Sequence, residues 1–295
     1  MANAAPDPNA VTGKPLDRRD GRAKVMGTAL YAADQPVTGV LHAVLVTSTI
    51  ASGRITRLDA SAALRSPGVV EVLSHDNAMR LPNGGRSSVA PPSGRALQLL
   101  QDADVMYVNQ PIAVVVADTL ERAKAGAEAV RVTYAAEQGA LDFATAKAAA
   151  YVPKRLNKGE VDTADGDVAA VMGAASASID AVYETPMVHH NPMEPHATIA
   201  SWDGDQLTLY DSTQAVNGDQ KTVARALGID AKNVRVVCPF VGGGFGCKGS
   251  TWSHVVIAAM AARQVGRPVK LVLDRPQMWG PVGGRPMTEQ RLLMA

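Results

Sequence analysis

The sequence predicts an α+β fold built from two consecutive domains of mixed strands and helices. Apolar, β-branched runs of strand length alternate with ten-residue runs of helical periodicity. Residues 138–165 break that alternation with an Ala, Lys, Gly and Asp-rich stretch of no clear period, which separates 17–137 from 166–295. At 295 residues the chain is long enough for two ordinary domains, each with a core.

Residues 1–16, rich in Ala, Asn and Pro, read as a disordered tail. In 17–137, "GVLHAVLVTS" at 39–48 is a strand. Asp59 is a candidate helix cap, and Pro67-Gly68 turns the chain into a second strand at 69–74. A Gly/Pro/Ser-rich loop covers 82–95. After it, "QPIAVVVAD" reads as a strand, Thr119 as the cap of the helix "LERAKAGAEAV", and "RVTY" as the next strand, so that a strand–helix–strand unit is expected twice. Residues 138–165 read as a linker. Beyond them come a short helix near 166–173, a strand at 177–184 and a hairpin over 197–213 turning at Asp203-Gly204-Asp205. A helix near 217–227 stops at Gly228. Strand "NVRVVC", a glycine loop, a helix over 251–264 and strand "VKLVLD" follow, and "QRLLMA" opens a strand for which no partner is apparent.

Composition excludes several classes of function. Lys and Arg total 29 against 28 acids, with no basic run interleaved with aromatics, which argues against nucleic acid. Two cysteines, Cys238 and Cys247, are too few for a disulfide scaffold, a four-cysteine zinc site or an iron–sulfur cluster. The N-terminal residues have no apolar signal region and no run approaches membrane-spanning length, so a soluble cytoplasmic protein is expected.

The segment "VGGGFGCKG" at 241–249 holds five glycines. Gly244 to Gly249 match the dinucleotide fingerprint G-x-G-x-x-G, with Asp274 as the ribose acid, which keeps an NAD-dependent dehydrogenase open as an alternative. The spacing weighs against it, because Pro239 to Gly243 separate the preceding strand from the first glycine of the match. A P-loop is excluded, since Lys248 is followed by Gly249 and not by Ser or Thr. Backbone access is the better reading: without Cβ atoms, successive N–H groups can approach an anionic or oxo-bearing group closely. "HHNPMEPH" at 189–196 invites a metal reading, but Pro192 and Pro195 exclude the regular helix that would gather His190, Glu194 and His196 on one face, so no protein metal ligand is expected. Cys247 reads as a small packed side chain.

The loop "GGGFGCK", together with "DSTQ" at 211–214, "HNPMEPHATIASWDGD" at 190–205 and "GRPVKLVLDR" at 266–275, resembles the molybdopterin-binding large subunit of the xanthine dehydrogenase and aldehyde oxidase family. "DGRAKVMGTALYAAD" and "QPIAVVVADTLERAKAGAEAVRVTY" resemble that family's hammerhead domain. The resemblance implies a hammerhead-like α/β domain over 17–137, followed over 166–295 by the first part of a mixed α/β molybdenum-cofactor-binding domain. It implies a molybdenum–molybdopterin cofactor, as such or as the cytosine dinucleotide. Gln214 would donate its amide N–H to the oxo ligand, and Gly243, Gly244, Phe245 and Gly246 would line the group with backbone.

The implied activity is oxidation of an aldehyde or N-heterocycle, a small-molecule substrate, with water as the oxygen source. Electrons would pass to a small subunit carrying 2Fe-2S clusters and a medium subunit carrying FAD, and a chaperone would insert the cofactor. The family's catalytic glutamate lies near the end of a subunit more than twice this long, and no segment here matches it, so this chain alone is expected to be inactive. A non-catalytic molybdenum-cofactor-binding protein is the remaining alternative.

Overall fold

The computed structural model describes residues 13–82, 97–153, 160–163 and 165–295. Most of the expected tail, most of the 82–95 loop and part of the expected linker lie outside the described residues.

A short helix α1 (Gly21–Val25) leads to strands β1 (Leu41–Thr47) and β2 (Gly53–Asp59), helix α2 (Ser61–Leu64), strands β3 (Val69–Ser74), β4 (Asp104–Val105) and β5 (Pro111–Ala117), helix α3 (Leu120–Ala129) and strand β6 (Arg131–Ala136). Helices α4 (Phe143–Ala148) and α5 (Val168–Ala174) precede strands β7 (Ile179–Thr185), β8 (Ala197–Asp203) and β9 (Gln206–Asp211). Helix α6 (Val216–Leu227), strand β10 (Val234–Val237), helix α7 (Ser253–Val265) and strands β11 (Val269–Val272) and β12 (Thr288–Met294) complete the chain.

One seven-stranded sheet in the order β10-β9-β8-β11-β1-β5-β3 takes strands from both sides of 138–165, joined where β1 runs parallel to β11 with Leu41 opposite Val269. Strand β5, between β1 and the edge strand β3, is buried along its whole length. Alternate β5 side chains serve the two faces: Val114 and Val116 pack with α7, whereas Val115 and Ala117 pack toward the α3 side. From Val255 to Ala262, α7 is buried all round, which explains its nearly unbroken apolar sequence. Thr119 caps α3 by accepting from the Arg122 N–H, and Gly228 ends α6 in the left-handed conformation at φ 69°.

Four expectations are corrected. The two strand–helix–strand units are not a repeat: β5 inserts between β1 and β3, antiparallel to both, and β6 leaves for a three-stranded sheet with β2 and β4. Strand β2 was not foreseen, because "GRITRLD" buries only Ile55 and therefore carries no apolar run. Helix α4 lies within the expected linker; Asp142 caps it by accepting from Thr145 N, but it buries no residue and so leaves no amphipathic signal. The last strand has a partner after all, since β12 pairs antiparallel with β7 from Thr288 opposite Thr185 to Met294 opposite Ile179. Asp59 accepts from the Ser61 N–H, although the helix boundary falls at Ala60.

Candidate functional site

The glycine loop spans the gap between the end of β10 at Val237 and the start of α7 at Ser253. Its backbone enters the left-handed half of conformational space at Gly243 (φ 93°), Phe245 (φ 53°) and Gly246 (φ 104°). That conformation is costly for the Phe245 side chain, whose ring stands 73% exposed. Among the described residues, the N–H groups of Gly243, Gly244, Phe245 and Gly246 donate to no acceptor within the chain. Gly244 is buried, whereas Phe245 and Gly246 are exposed, so this run of donors is open to a group arriving from the solvent side.

Gln214 lies directly over this backbone. A Cβ on Gly244 would stand 2.4 Å from Gln214 Oε1, so only glycine admits the carboxamide at this distance. The exposed Gln214 side chain has no hydrogen-bond partner among the described residues, while its backbone N–H donates to the Lys248 carbonyl at 2.8 Å. Thr213 Oγ1 donates to the same carbonyl at 3.3 Å. The "STQ" turn is thus tied to the far end of the loop by main chain, leaving the glutamine amide free to address a ligand.

Beneath the loop is a buried clamp. The fully buried Lys248 ammonium donates to Glu194 Oε2 at 2.7 Å and to the Glu194 carbonyl at 3.0 Å. Glu194 Oε2 also accepts from the Gly242 N–H at 2.7 Å, and the Glu194 N–H donates to the Gly242 carbonyl at 3.2 Å. His196 and Trp252 both address the Cys247 carbonyl, His196 through Nε2 at 3.3 Å. Burial, with the Lys248 charge nearby, pushes His196 down to about 3, which keeps it neutral, with its Nε2–H donating to that carbonyl. Breaking a buried pair such as Lys248–Glu194 from one side typically costs about 3–5 kcal/mol, so the clamp holds the loop firmly.

The structure therefore brings together Gln214, Gly243, Gly244, Phe245 and Gly246. It disperses the "HHNPMEPH" side chains to separate tasks. Glu194 binds Lys248, and His196 stacks edge-on against His254 with ring centres 5.3 Å apart. His190 Nε2 lies 3.2 Å from where a Cβ on Gly246 would stand, and His189 lies beside Gly284. No group of three or more His, Cys, Asp or Glu with metal-site geometry occurs among the described residues. Cys247 is buried, its Sγ donates to the Gly244 carbonyl at 3.0 Å, and burial pushes its thiol up. Sequence reasoning missed the clamp: Lys248 and Glu194 lie 54 positions apart, and the only hint was a lysine inside an otherwise side-chain-poor loop.

The dinucleotide alternative fits this geometry poorly. A Rossmann unit carries its helix back to a neighbouring parallel strand, whereas β9 and β8 intervene between β10 and β11. Asp274, the supposed ribose acid, pairs with Lys124 at 3.4 Å. By contrast, a cradle of neutral amides with no facing thiolate suits a group that brings its own anionic or oxo ligands.

Two family models match the chain: an aldehyde oxidase and xanthine dehydrogenase a/b hammerhead domain over residues 26–138, and a molybdopterin cofactor-binding domain over residues 150–295. The chain is 39% identical over 287 residues to the aldehyde oxidoreductase molybdenum-binding subunit PaoC of Escherichia coli strain K12, a match covering 96% of this chain and 37% of that one. It is 32% identical to the carbon monoxide dehydrogenase large chain of Hydrogenophaga pseudoflava over 85% of this chain and 33% of that one. The fold superposes on the aldehyde oxidoreductase of Desulfovibrio gigas with a TM-score of 0.76 at 26% identity, covering 94% of this chain and 32% of that one. The chain thus spans about a third of the length of these relatives. Matched by both models and sharing the fold, the chain belongs to the molybdenum-binding subunits of the aldehyde oxidase and xanthine dehydrogenase family.

Proposed function

We propose that this chain holds one side of a molybdenum–molybdopterin group in an oxidoreductase acting on an aldehyde or N-heterocycle. The observation that carries the reading is the Gly244 backbone packed beneath the Gln214 carboxamide, within a run of four N–H groups that bond to no acceptor among the described residues. When bound, the molybdenum group supplies two-electron oxidation of the substrate carbon, with water as the oxygen source.

The chain's own residues bind and orient. Gln214 directs an amide N–H at the group without competing as a ligand. The N–H groups of Gly243, Gly244, Phe245 and Gly246 offer dipoles that need no reorganisation, because the Lys248–Glu194 clamp has already set the loop. The exposed Phe245 ring contributes an apolar wall on the solvent side. Iron–sulfur and FAD-binding subunits would carry electrons away, a chaperone would insert the cofactor, either as molybdopterin or as its cytosine dinucleotide, and the complex would reside in the cytoplasm. No described helix is long and apolar enough to cross a membrane.

The test is Gln214→Ala in the intact subunit. Turnover should fall about ten- to a hundredfold, the scale of losing an outer-shell partner at a metal, with molybdenum and pterin content measured alongside. Full turnover in metal-replete mutant protein would sink the assignment.

A further inference from the structure

The segment before Glu194 follows the glycine loop in the opposite direction. Glu194 meets Gly242, its N–H donating to the Gly242 carbonyl at 3.2 Å. Pro192 Cβ lies 3.3 Å from where a Cβ on Gly243 would stand, and His190 Nε2 lies 3.2 Å from where one on Gly246 would stand. Glycine at 246 thus admits the imidazole, as glycine at 244 admits the Gln214 carboxamide. The backbone is anchored on both sides of His190. Arg275 donates to the Pro192 carbonyl at 2.8 Å and to the Met193 carbonyl at 3.1 Å. Val188 and Arg285 exchange N–H to carbonyl bonds at 3.0 and 2.8 Å. The imidazole is therefore held beside the last of the four N–H groups that bond to no acceptor among the described residues.

The two ring nitrogens of His190 have different surroundings. Nδ1 is buried and has no hydrogen-bond partner among the described residues, whereas Nε2 is not buried and bonds to no described group. A neutral imidazole carries its proton on one nitrogen only. A buried N–H without an acceptor is rarer in folded proteins than an unused lone pair, so the proton belongs on Nε2. In a charged ring Nε2 carries a proton as well, so it is a donor in either form. The N–H groups of 243–246, the Gln214 carboxamide and the His190 Nε2–H then offer donors along one stretch of backbone, which suits a group rich in anionic or oxo oxygens.

We propose that His190 is a second side-chain contact for the group seated on the glycine loop, donating through Nε2–H to one of that group's anionic or oxo oxygens. The contact rests on the function proposed above, which supplies the group. The position of the ring proton rests only on the surroundings of the imidazole. Gln214 addresses the group at Gly244 and His190 addresses it at Gly246, so the side chains act at two points of a backbone already fixed by the Lys248–Glu194 clamp. Three substitutions separate donor from shape. His190→Phe keeps a ring beside Gly246 without the donor, His190→Gln keeps a donor nitrogen, and His190→Ala removes both.

The experiment uses the intact subunit, with and without cofactor, labelled with nitrogen-15 in histidine and assigned by the signal lost in His190→Gln. In the cofactor-free protein the neutral ring should carry its proton on Nε2. Loading with the molybdenum–molybdopterin group alone should move the Nε2–H resonance. The rate at which pterin leaves the loaded protein on dilution should rise at least about tenfold in His190→Ala and His190→Phe, the scale of losing an outer-shell contact at a metal. It should return toward wild type in His190→Gln, with the melting point of cofactor-free His190→Phe unchanged. A proton on Nδ1, an Nε2 signal unmoved by loading, a shift seen only after an aldehyde is added, or wild-type pterin retention in His190→Phe would each overturn the proposal. If His190→Ala and His190→Phe fail to fold, the wild-type resonances still decide it. Lost turnover in Gln214→Ala with wild-type retention in His190→Phe strikes out His190 alone. Undiminished turnover in metal-replete Gln214→Ala overturns the function and this contact with it, and leaves only the position of the ring proton.

Discussion

Gly244→Ala separates the site from the fold. Gly244 is not among the positive-φ glycines, so alanine fits its backbone, and the lost freedom of the unfolded chain stabilises by about 0.4–1 kcal/mol. The new Cβ would meet Gln214 Oε1 at 2.4 Å, Cδ at 2.7 Å and Nε2 at 3.3 Å. Ordinary contact begins at 3.4 Å, so the carboxamide must retreat by about 1 Å (3.4 − 2.4). The atom displaced is the far end of an exposed side chain, and the fold absorbs the change. Melting should therefore shift little, with net stability within about 1 kcal/mol of wild type. A reacting geometry misplaced by about 1 Å loses about a hundredfold in rate, or about 2.7 kcal/mol of barrier. Thermal melting, molybdenum content and turnover of the intact subunit form the assay. Wild-type turnover with full metal would refute the close approach as the reason for this glycine. A melting point many degrees lower would instead make the glycine a packing residue.

Two further outcomes are expected. His196 has a folded-state value depressed from 6.5 to about 3, so the unfolded chain binds a proton that the folded chain refuses between those values. The associated stability is fully present above about pH 6.5 and is lost as pH falls toward 3, at about 1.4 kcal/mol per pH unit. His196→Phe should remove one proton from the uptake measured on unfolding near pH 5, and an unchanged uptake would show that the imidazole is already charged. The 295-residue chain alone, given cofactor, aldehydes or purines and an artificial electron acceptor, should not exceed the cofactor-only rate. Glu194, which contacts the loop, has its Oε2 tied to Lys248 and the Gly242 N–H and so serves the clamp. Sustained turnover would show that a base within this chain suffices.

Much of the site was legible as pattern. Five glycines in nine positions signalled backbone approach, and "DSTQ" placed Gln214 near them only through family resemblance. Elements whose burial writes a strong period were also legible: β5 as an unbroken apolar run, α7 as a helix apolar on every side, Thr119 and Gly228 as caps. β2 and α4 were not, because one buried residue or none leaves no periodic trace. Strand order was invisible for a different reason. Parallel pairing of β1 with β11 joins Leu41 to Val269, and no local rule links positions so far apart. The same holds for the clamp. Lys248 and Glu194 are ordinary charged residues in one dimension. They become a fastening only when packing removes their water and leaves each as the other's nearest compensation.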